Sequence, residues 1–325
     1  MLRVEELVRD YPVRGSTDVV RAVNDVSFSV ERGETLGIVG ESGCGKSTTA
    51  RLVALLEEPT SGRILLDGNE VTGLKHKQLR PLRRRIQMVF QDPYSSLNPR
   101  MRIGDSLAEV LRVHKLAAGA ARRARVTELL EMVGLSGSHA TRFPHEFSGG
   151  QRQRIVIARA LAVEPEMLVL DEAVSSLDVS VRAEIMNLLA RLRSELGLTY
   201  IFISHDLGMV RHISDRIAAM YLGKVVELGG WRSVSDEPLH PYVRALLDAV
   251  PVPDPEHEAR REIIMLEGEP PDPARPPKGC NFNTRCPLAE QTCFEVEPRL
   301  KELLPAHEAA CHVRDRELES TRESR

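Results

Sequence analysis

The sequence predicts an α/β fold: a core of mostly parallel strands covered on both faces. Residues 35–39, 167–170 and 200–204 are short, unbroken apolar runs, the pattern of strands buried on both sides. The first run stops at Gly40 and leads into Glu41-Ser42-Gly43-Cys44-Gly45-Lys46-Ser47-Thr48, after which residues 47–56 read as a helix. Strand, glycine-rich loop and helix in that order form one supersecondary unit. Residues 179–196, between the second and third runs, have the length and periodicity of a crossover helix joining parallel strands.

The remaining elements follow in chain order. Residues 26–30 alternate apolar and polar, as a half-buried strand does. Residues 64–66 form a strand closed by the turn Asp67-Gly68, and residues 86–90 form another buried strand. From 103 to 135 Ala, Leu and Arg recur at three- and four-residue spacing, which predicts an inserted helical lobe extending over about 103–163. Residues 149–163 are again helical, with Ser148 at the preferred N-cap position. Residues 218–221 and 224–227 are strands around a turn at Gly223. Beyond Leu247 the composition changes to Val250-Pro251-Val252-Pro253-Asp254-Pro255, with further prolines at 270, 271, 273, 276 and 277. Proline-rich chain is stiff and extended, so a domain of residues 1–250 and a small loop-rich extension of 251–325 are expected.

At 325 residues the chain is long enough to bury a sizeable core. Lys plus Arg total 44 against 47 Asp plus Glu, so no global field favours nucleic acid, and none is expected as a partner. The basic runs at 79–85 and 121–125 read as solvated surface. The N-terminus carries acids rather than the apolar core of a signal peptide. No stretch approaches the roughly 20 apolar residues that span a bilayer. These features predict a cytosolic protein whose membrane association comes through a partner. Cys44 sits in the glycine-rich loop as a small residue, whereas Cys280, Cys286, Cys293 and Cys311 cluster late in the chain. In a reducing cytosol such clustering points to a metal centre rather than disulfides. Five, six and seventeen residues separate successive members, which is neither a paired zinc ribbon nor a ferredoxin run.

The loop has a physical purpose. Gly40, Gly43 and Gly45 let backbone N–H groups turn inward around phosphate oxygens, and the following helix offers its positive end. Lys46 then reaches the β- and γ-phosphates, the Ser47 hydroxyl binds Mg²⁺, and Thr48 contacts the α-phosphate, with Ser42 and Cys44 completing the cradle. Asp171 ends a buried strand, where a metal-holding carboxylate belongs. Glu172 beside it points differently and is suited to orient or deprotonate an attacking water. Between the loop and these acids lies Phe147-Ser148-Gly149-Gly150-Gln151-Arg152-Gln153-Arg154.

Over residues 1–250 this order resembles the ATP-binding cassette (ABC) family. The resemblance implies a P-loop ABC nucleotide-binding domain, with a mixed sheet core and a helical subdomain, that hydrolyses ATP with Mg²⁺. Gln91 matches the Q-loop glutamine that senses Mg²⁺ and the water, and Asp171, Ser47 and Gln91 are the implied Mg²⁺ contacts. His205 matches the switch histidine on the γ-phosphate, so Glu172, His205 and Gln91 form the implied catalytic set. Asp178, in Ser175-Ser176-Leu177-Asp178, matches the D-loop that communicates across a dimer, and Tyr11 matches the aromatic residue that stacks on adenine. Ser148, Gly149, Gly150 and Gln151 match the signature, whose helix start would bind ATP held by a second cassette. Phe147 replaces the usual leucine and Ala173 the common proline; both are apolar and neither supplies chemistry.

Gln91-Asp92-Pro93-Tyr94-Ser95-Ser96-Leu97-Asn98-Pro99-Arg100 narrows the resemblance to the oligopeptide/dipeptide importer ATPases. His240-Pro241-Tyr242, Gly279-Cys280-Asn281-Phe282 and Arg285-Cys286-Pro287 are similar to their C-terminal extension. This implies a heterodimer with a second ABC ATPase, two transmembrane permeases, an extracytoplasmic peptide-binding protein, and a place on the cytoplasmic face of the membrane. Nickel, glutathione and murein-peptide importers share much of the pattern. The resemblance favours a [4Fe–4S] cluster on Cys280, Cys286, Cys293 and Cys311, with zinc or unligated thiols as alternatives and His307 and His312 as substitute ligands. A soluble ABC protein acting on nucleic acid or the ribosome is the runner-up; such proteins usually carry two cassettes, and this chain has one set of motifs. A metal-binding regulatory module, suggested by the tail alone, does not account for the full catalytic set.

Overall fold

The computed structural model of the chain describes residues 1–13, 15–175, 177–249 and 268–323. Two readings, the segment 250–255 and Ser176, lie outside these residues. In chain order the first strands are β1 (Leu2–Pro12), β2 (Val19–Val30) and β3 (Thr35–Val39). The glycine-rich loop follows β3, then helix α1 (Lys46–Val53), β4 (Ser61–Leu66), β5 (Asn69–Glu70), α2 (His76–Arg85) and β6 (Ile86–Val89). The helical insertion comprises α3 (Pro93–Ser96), α4 (Ile103–Val113), α5 (Gly119–Met132) and α6 (Gly149–Leu161). Next come β7 (Met167–Asp171), α7 (Val179–Leu196), β8 (Thr199–Ser204), α8 (Leu207–Ile213), β9 (Arg216–Tyr221) and β10 (Lys224–Gly230). Helices α9 (Trp231–Asp236) and α10 (Pro241–Asp248) precede the tail, which adds β11 (Lys301–Leu304), β12 (His307–Ala309) and a terminal helix His312–Glu323.

Strand pleating explains why the apolar runs are unbroken. Successive side chains point to opposite faces, and both faces are covered. Leu36, Ile38, Met167, Val169, Ile201 and Ile203 enter the core shared with α1 and an antiparallel sheet ordered β2–β1–β4–β5. Their neighbours Val39, Leu168, Leu170, Tyr200 and Phe202 enter the opposite core with α4 to α8. The main sheet is mixed, ordered β11–β12–β10–β9–β3–β8–β7–β6. Strands β9, β3, β8, β7 and β6 run parallel, and β10 and the tail strands continue it antiparallel.

Three features differ from the sequence reading. The first basic run is not merely solvated: it lies on α2, where Leu79 is buried and the last three residues clasp other elements. Arg83 and Arg84 donate to the carbonyls of Leu55 and Val163, and Arg85 pairs with Asp67 and Glu166. The tail is also less loop-rich than its prolines suggest, because β12 joins the edge of the main sheet with Glu227 opposite Ala309 and Gly229 opposite His307. Finally, β1 and the first part of β2 went unread: their patterns are broken by register shifts, which interrupt the period-2 alternation.

The tail is pinned by one buried polar cluster. The Glu227 carboxylate, with no exposure, accepts the backbone N–H groups of Leu239 (3.0 Å) and His240 (2.7 Å) and faces His307 Nε2 at 2.7 Å. Burial pushes the His240 imidazole down to about 3, so it is neutral, and its Nδ1 accepts the Tyr242 N–H. Replacing His307 with Ala leaves the Glu227 carboxylate short of a partner in a fully buried site. This should cost roughly 3–5 kcal/mol, the usual size for breaking a buried pair, read as a lower urea midpoint.

Candidate active site

The site is built at the C-terminal ends of β3, β7 and β8. The loop after β3 curls around the ammonium of Lys46, a residue that is 4% exposed. Its Nζ donates to the carbonyls of Gly40 (2.8 Å) and Glu41 (2.9 Å). Only glycine permits this path. Gly40 and Gly45 have φ 153° and 104°, and a Cβ would lie 2.2 Å from the Met220 carbonyl oxygen and 2.1 Å from that of Ala22. Ser42 and Gly43 are exposed at the crest of the loop, and Thr48 is half-buried in α1. Cys44 is buried beneath the loop, with burial pushing its thiol up, so packing accounts for it.

The strand ends bring the acids to this loop. Ser47 Oγ donates to Asp171 Oδ1 at 3.0 Å. Burial raises the Asp171 carboxyl above the ordinary carboxylate range, against the opposing pull of the Ser47 hydrogen bond. Glu172 takes the left-handed φ of 48° while its N–H donates to the Ile203 carbonyl at 3.0 Å. A non-glycine residue there is strained, and such strain clusters at functional sites. Its turn aims the carboxylate between two other predicted residues: Gln91 Nε2 donates to Oε2 at 3.0 Å, and His205 Nδ1 lies 3.4 Å from Oε1. Lys46, Ser47, Asp171, Glu172, Gln91 and His205 thus form one continuous constellation.

The signature residues stand apart from it. Ser148 Oγ accepts the Gln151 N–H at 3.3 Å, and Gln151 Oε1 accepts the Ser148 N–H at 3.1 Å. This reciprocal capping box starts α6. Gly150 backs onto α7, where a Cβ would meet Val181 Cγ1 at 2.3 Å. Asp178 is exposed at the start of α7 without a side-chain cap bond. Tyr11 makes its contacts with Glu57, through its hydroxyl, and with Arg9, whose guanidinium carbon lies 4.7 Å from the ring centre, rather than with the loop.

Sequence reading missed four groups. Ser175 Oγ lies 3.5 Å from Gln91 Nε2 and donates to the Glu172 carbonyl at 2.9 Å. Tyr94 connects the segment after Gln91 to the signature helix: the Arg152 guanidinium lies 3.7 Å from its ring centre and donates to its hydroxyl. Tyr242 and Arg285 both hold Glu41. No local pattern announces the contacts with Gln91, Arg152 and Glu41, because those partners come from distant parts of the chain.

The electrostatics yield a test. Folding raises the Asp171 pKa, so ionising it costs stability; that cost is absent below the ordinary carboxylate range and complete once pH exceeds the raised value. Asp171→Asn should therefore leave the thermal midpoint at pH 7 unchanged or higher, while weakening binding of Mg²⁺-nucleotide. Calorimetric melts with and without Mg²⁺-ATP read both effects.

Comparison with known proteins places this geometry. Residues 23–175 match the model of the ABC transporter family, and residues 226–293 match the oligopeptide/dipeptide transporter C-terminal region. The oligopeptide transport ATP-binding protein AppF of Bacillus subtilis is 51% identical over 319 residues, covering 96% of this chain and 97% of that protein. The dimeric cassette MJ0796, in a post-hydrolysis state bound to ADP and Pi, superposes with a TM-score of 0.64 at 30% identity, over 71% of this chain and 99% of that one. The cbiO1 subunit of the Clostridium perfringens transporter complex cbiONQ gives 0.64 at 32% identity, over 73% and 90%. Likeness along nearly the whole length, together with the nucleotide loop and the carboxylate pair, leads to one conclusion: the chain belongs to the ABC transporter family, as an ATPase of the oligopeptide/dipeptide transporter ATP-binding type.

Proposed function

We propose that this chain hydrolyses ATP at the constellation of Lys46, Ser47, Asp171, Glu172, Gln91 and His205 to power peptide import. The observation that carries this reading is Glu172, wedged between Gln91 and His205 beside the Ser47–Asp171 pair. Lys46 would exchange the carbonyls of Gly40 and Glu41 for phosphate oxygens, with backbone N–H groups of the loop and Thr48 around them. Glu172 would orient the water and take its proton, and His205 would contact the terminal phosphate. Ser47 and Asp171 are hard oxygen donors suited to Mg²⁺, which when bound bridges and neutralises phosphate oxygens.

A second cassette completes the site in this reading. The N–H groups of Gly149 and Gly150, at the start of a helix whose Ser148 cap is exposed, suit an anion presented from outside the chain. Asp178 would communicate across the same interface, and Tyr11 would stack on adenine. A heterodimer with a second ATPase, two permeases and an extracytoplasmic peptide-binding protein would form the transporter. A groove beside Gln91, lined by exposed Phe90 and Val113 with Val110, His114 and Arg159, suits a permease segment. Among the described residues no helix is long and apolar enough to cross a membrane, so attachment to the cytoplasmic face would run through the permeases.

For the cysteine tail the proposed metal centre rests on four clustered thiols and the family resemblance. Burial raises the thiols of Cys280, Cys286 and Cys311, and Cys280 lies within electrostatic reach of the other three cysteines. Among the described residues no three His, Cys, Asp or Glu side chains converge to metal-holding distance. The histidines are engaged elsewhere, His307 on Glu227 and His312 Nε2 on the Val296 carbonyl at 3.0 Å. A [4Fe–4S] cluster on the four thiols is therefore proposed from the family resemblance, with zinc or unligated thiols as the alternatives.

Two experiments test the reading. Glu172→Gln should lower hydrolysis by roughly 100- to 10,000-fold, the range of general-base catalysis, while ATP binding persists; full turnover in that variant would sink the mechanism. Anaerobically purified protein should carry about four irons per chain. Burial pushes Cys280 and Cys286 up to about 11, so ligation must release protons and loading should weaken as pH falls. Stoichiometric zinc without iron would select zinc, and metal-free protein would select unligated thiols.

A further inference from the structure

The tail touches the nucleotide loop directly. Arg285 places Nη1 2.8 Å from Glu41 Oε2 and Nη2 3.0 Å from Oε1, a bidentate pair between residues 244 positions apart. The Arg285 side chain is 6% exposed and that of Glu41 25%. Glu41 is the second residue of the loop, and its other polar groups are also engaged. Its N–H donates to Tyr242 Oη at 2.8 Å, and its carbonyl accepts from Lys46 Nζ.

The cysteine segment fixes Arg285 in turn. The Arg285 N–H donates to the Phe282 carbonyl at 3.0 Å. Phe282 is 1% exposed and packs edge-on against Tyr221 at 5.2 Å and against Tyr242 at 5.6 Å. The Cys280 N–H donates to the Cys293 carbonyl at 2.8 Å, and the Asn283 amide bridges the carbonyls of Lys278 and Cys293. The turn that carries Cys280 and Cys286 therefore presents one guanidinium to the phosphate loop.

The charge balance gives this contact a consequence. A carboxylate within the loop that receives a polyphosphate repels it, and more strongly where water is partly excluded. Arg285 cancels that charge and holds Glu41 in place.

We propose that Arg285 is a positioning residue of the nucleotide site, neutralising Glu41 so that the folded cysteine-bearing tail sets the loop's affinity for a nucleoside triphosphate. The proposal rests on the reading of this loop as the ATP site. Binding of a non-hydrolysable ATP analogue to the purified full chain tests it, with thermal melts monitoring folding. Arg285→Gln should weaken binding about tenfold, the size of a modest coupling between sites. Glu41→Gln introduced into Arg285→Gln should bring affinity back to within about threefold of wild type, because the uncompensated charge is gone. Arg285→Lys, which keeps the charge but loses the fork, should cost about threefold and likewise be relieved by Glu41→Gln; it carries the test if Arg285→Gln does not fold. Wild-type affinity in Arg285→Gln overturns the proposal. So does failure of Glu41→Gln to relieve either Arg285 variant, which would make Arg285 a structural prop only. Lys46→Ala separates the two readings: binding that survives it sinks the loop's assignment and this proposal with it, whereas wild-type binding by Arg285→Gln sinks this proposal alone.

Discussion

The Lys46 ammonium is buried and held by the main-chain carbonyls of Gly40 and Glu41, and the surrounding architecture follows from that constraint. Two carbonyls can turn toward one cation only if the loop winds tightly, which is why Gly40 and Gly45 take positive φ and press against the backbone of Met220 and Ala22. Strand β3 and helix α1 must then meet at a set angle. That placement puts Ser47 against Asp171 and draws β7 and β8 alongside. Even the tail answers to it, because Tyr242 and Arg285 hold the residue whose carbonyl holds Lys46.

Two adjacent carboxylates acquire different characters from this frame. Asp171 ends the strand pointing inward, where burial raises its pKa and Ser47 is its partner. Glu172 leaves the strand through a left-handed turn and reaches the more open side, between Gln91 and a His205 side chain that is 56% exposed. The inner acid suits a hard cation, the outer one a water. The signature helix, meanwhile, spends its Ser148 and Gln151 side chains on capping itself. The chain therefore offers an assembled set of side chains on one surface and bare helix N–H groups on another, which fits the proposed sharing of nucleotide between two cassettes.

Much of this was legible from residue patterns, for reasons that particular elements make plain. The runs at 35–39, 167–170 and 200–204 are strands because two cores claim alternate residues, so both phases must be apolar. Ser148 was readable as a cap because its partner lies three residues away. The arginines ending α2 were misread as solvent-facing because their acceptors, from Asp67 to Glu166, lie 18 to 81 positions away. The tail strands were hidden for a related cause. At three and four residues, β12 and β11 are too short for periodicity to show; β12 exists by pairing with β10, and β11 by pairing with β12.

The sequence by itself determined the make-up of the loop, the paired acids and the signature, together with most strands and helices. Those depend on residues a few positions apart: a glycine's freedom, a cap three residues from its partner, a period of two or 3.6. Tertiary structure alone decided the pairings: Gln91 with Glu172 across 81 residues, His307 with Glu227 across 80, and Arg285 with Glu41 across 244. Side chains so far apart in the chain meet only after strand order and register are set, and those are properties of the packed core rather than of any local segment.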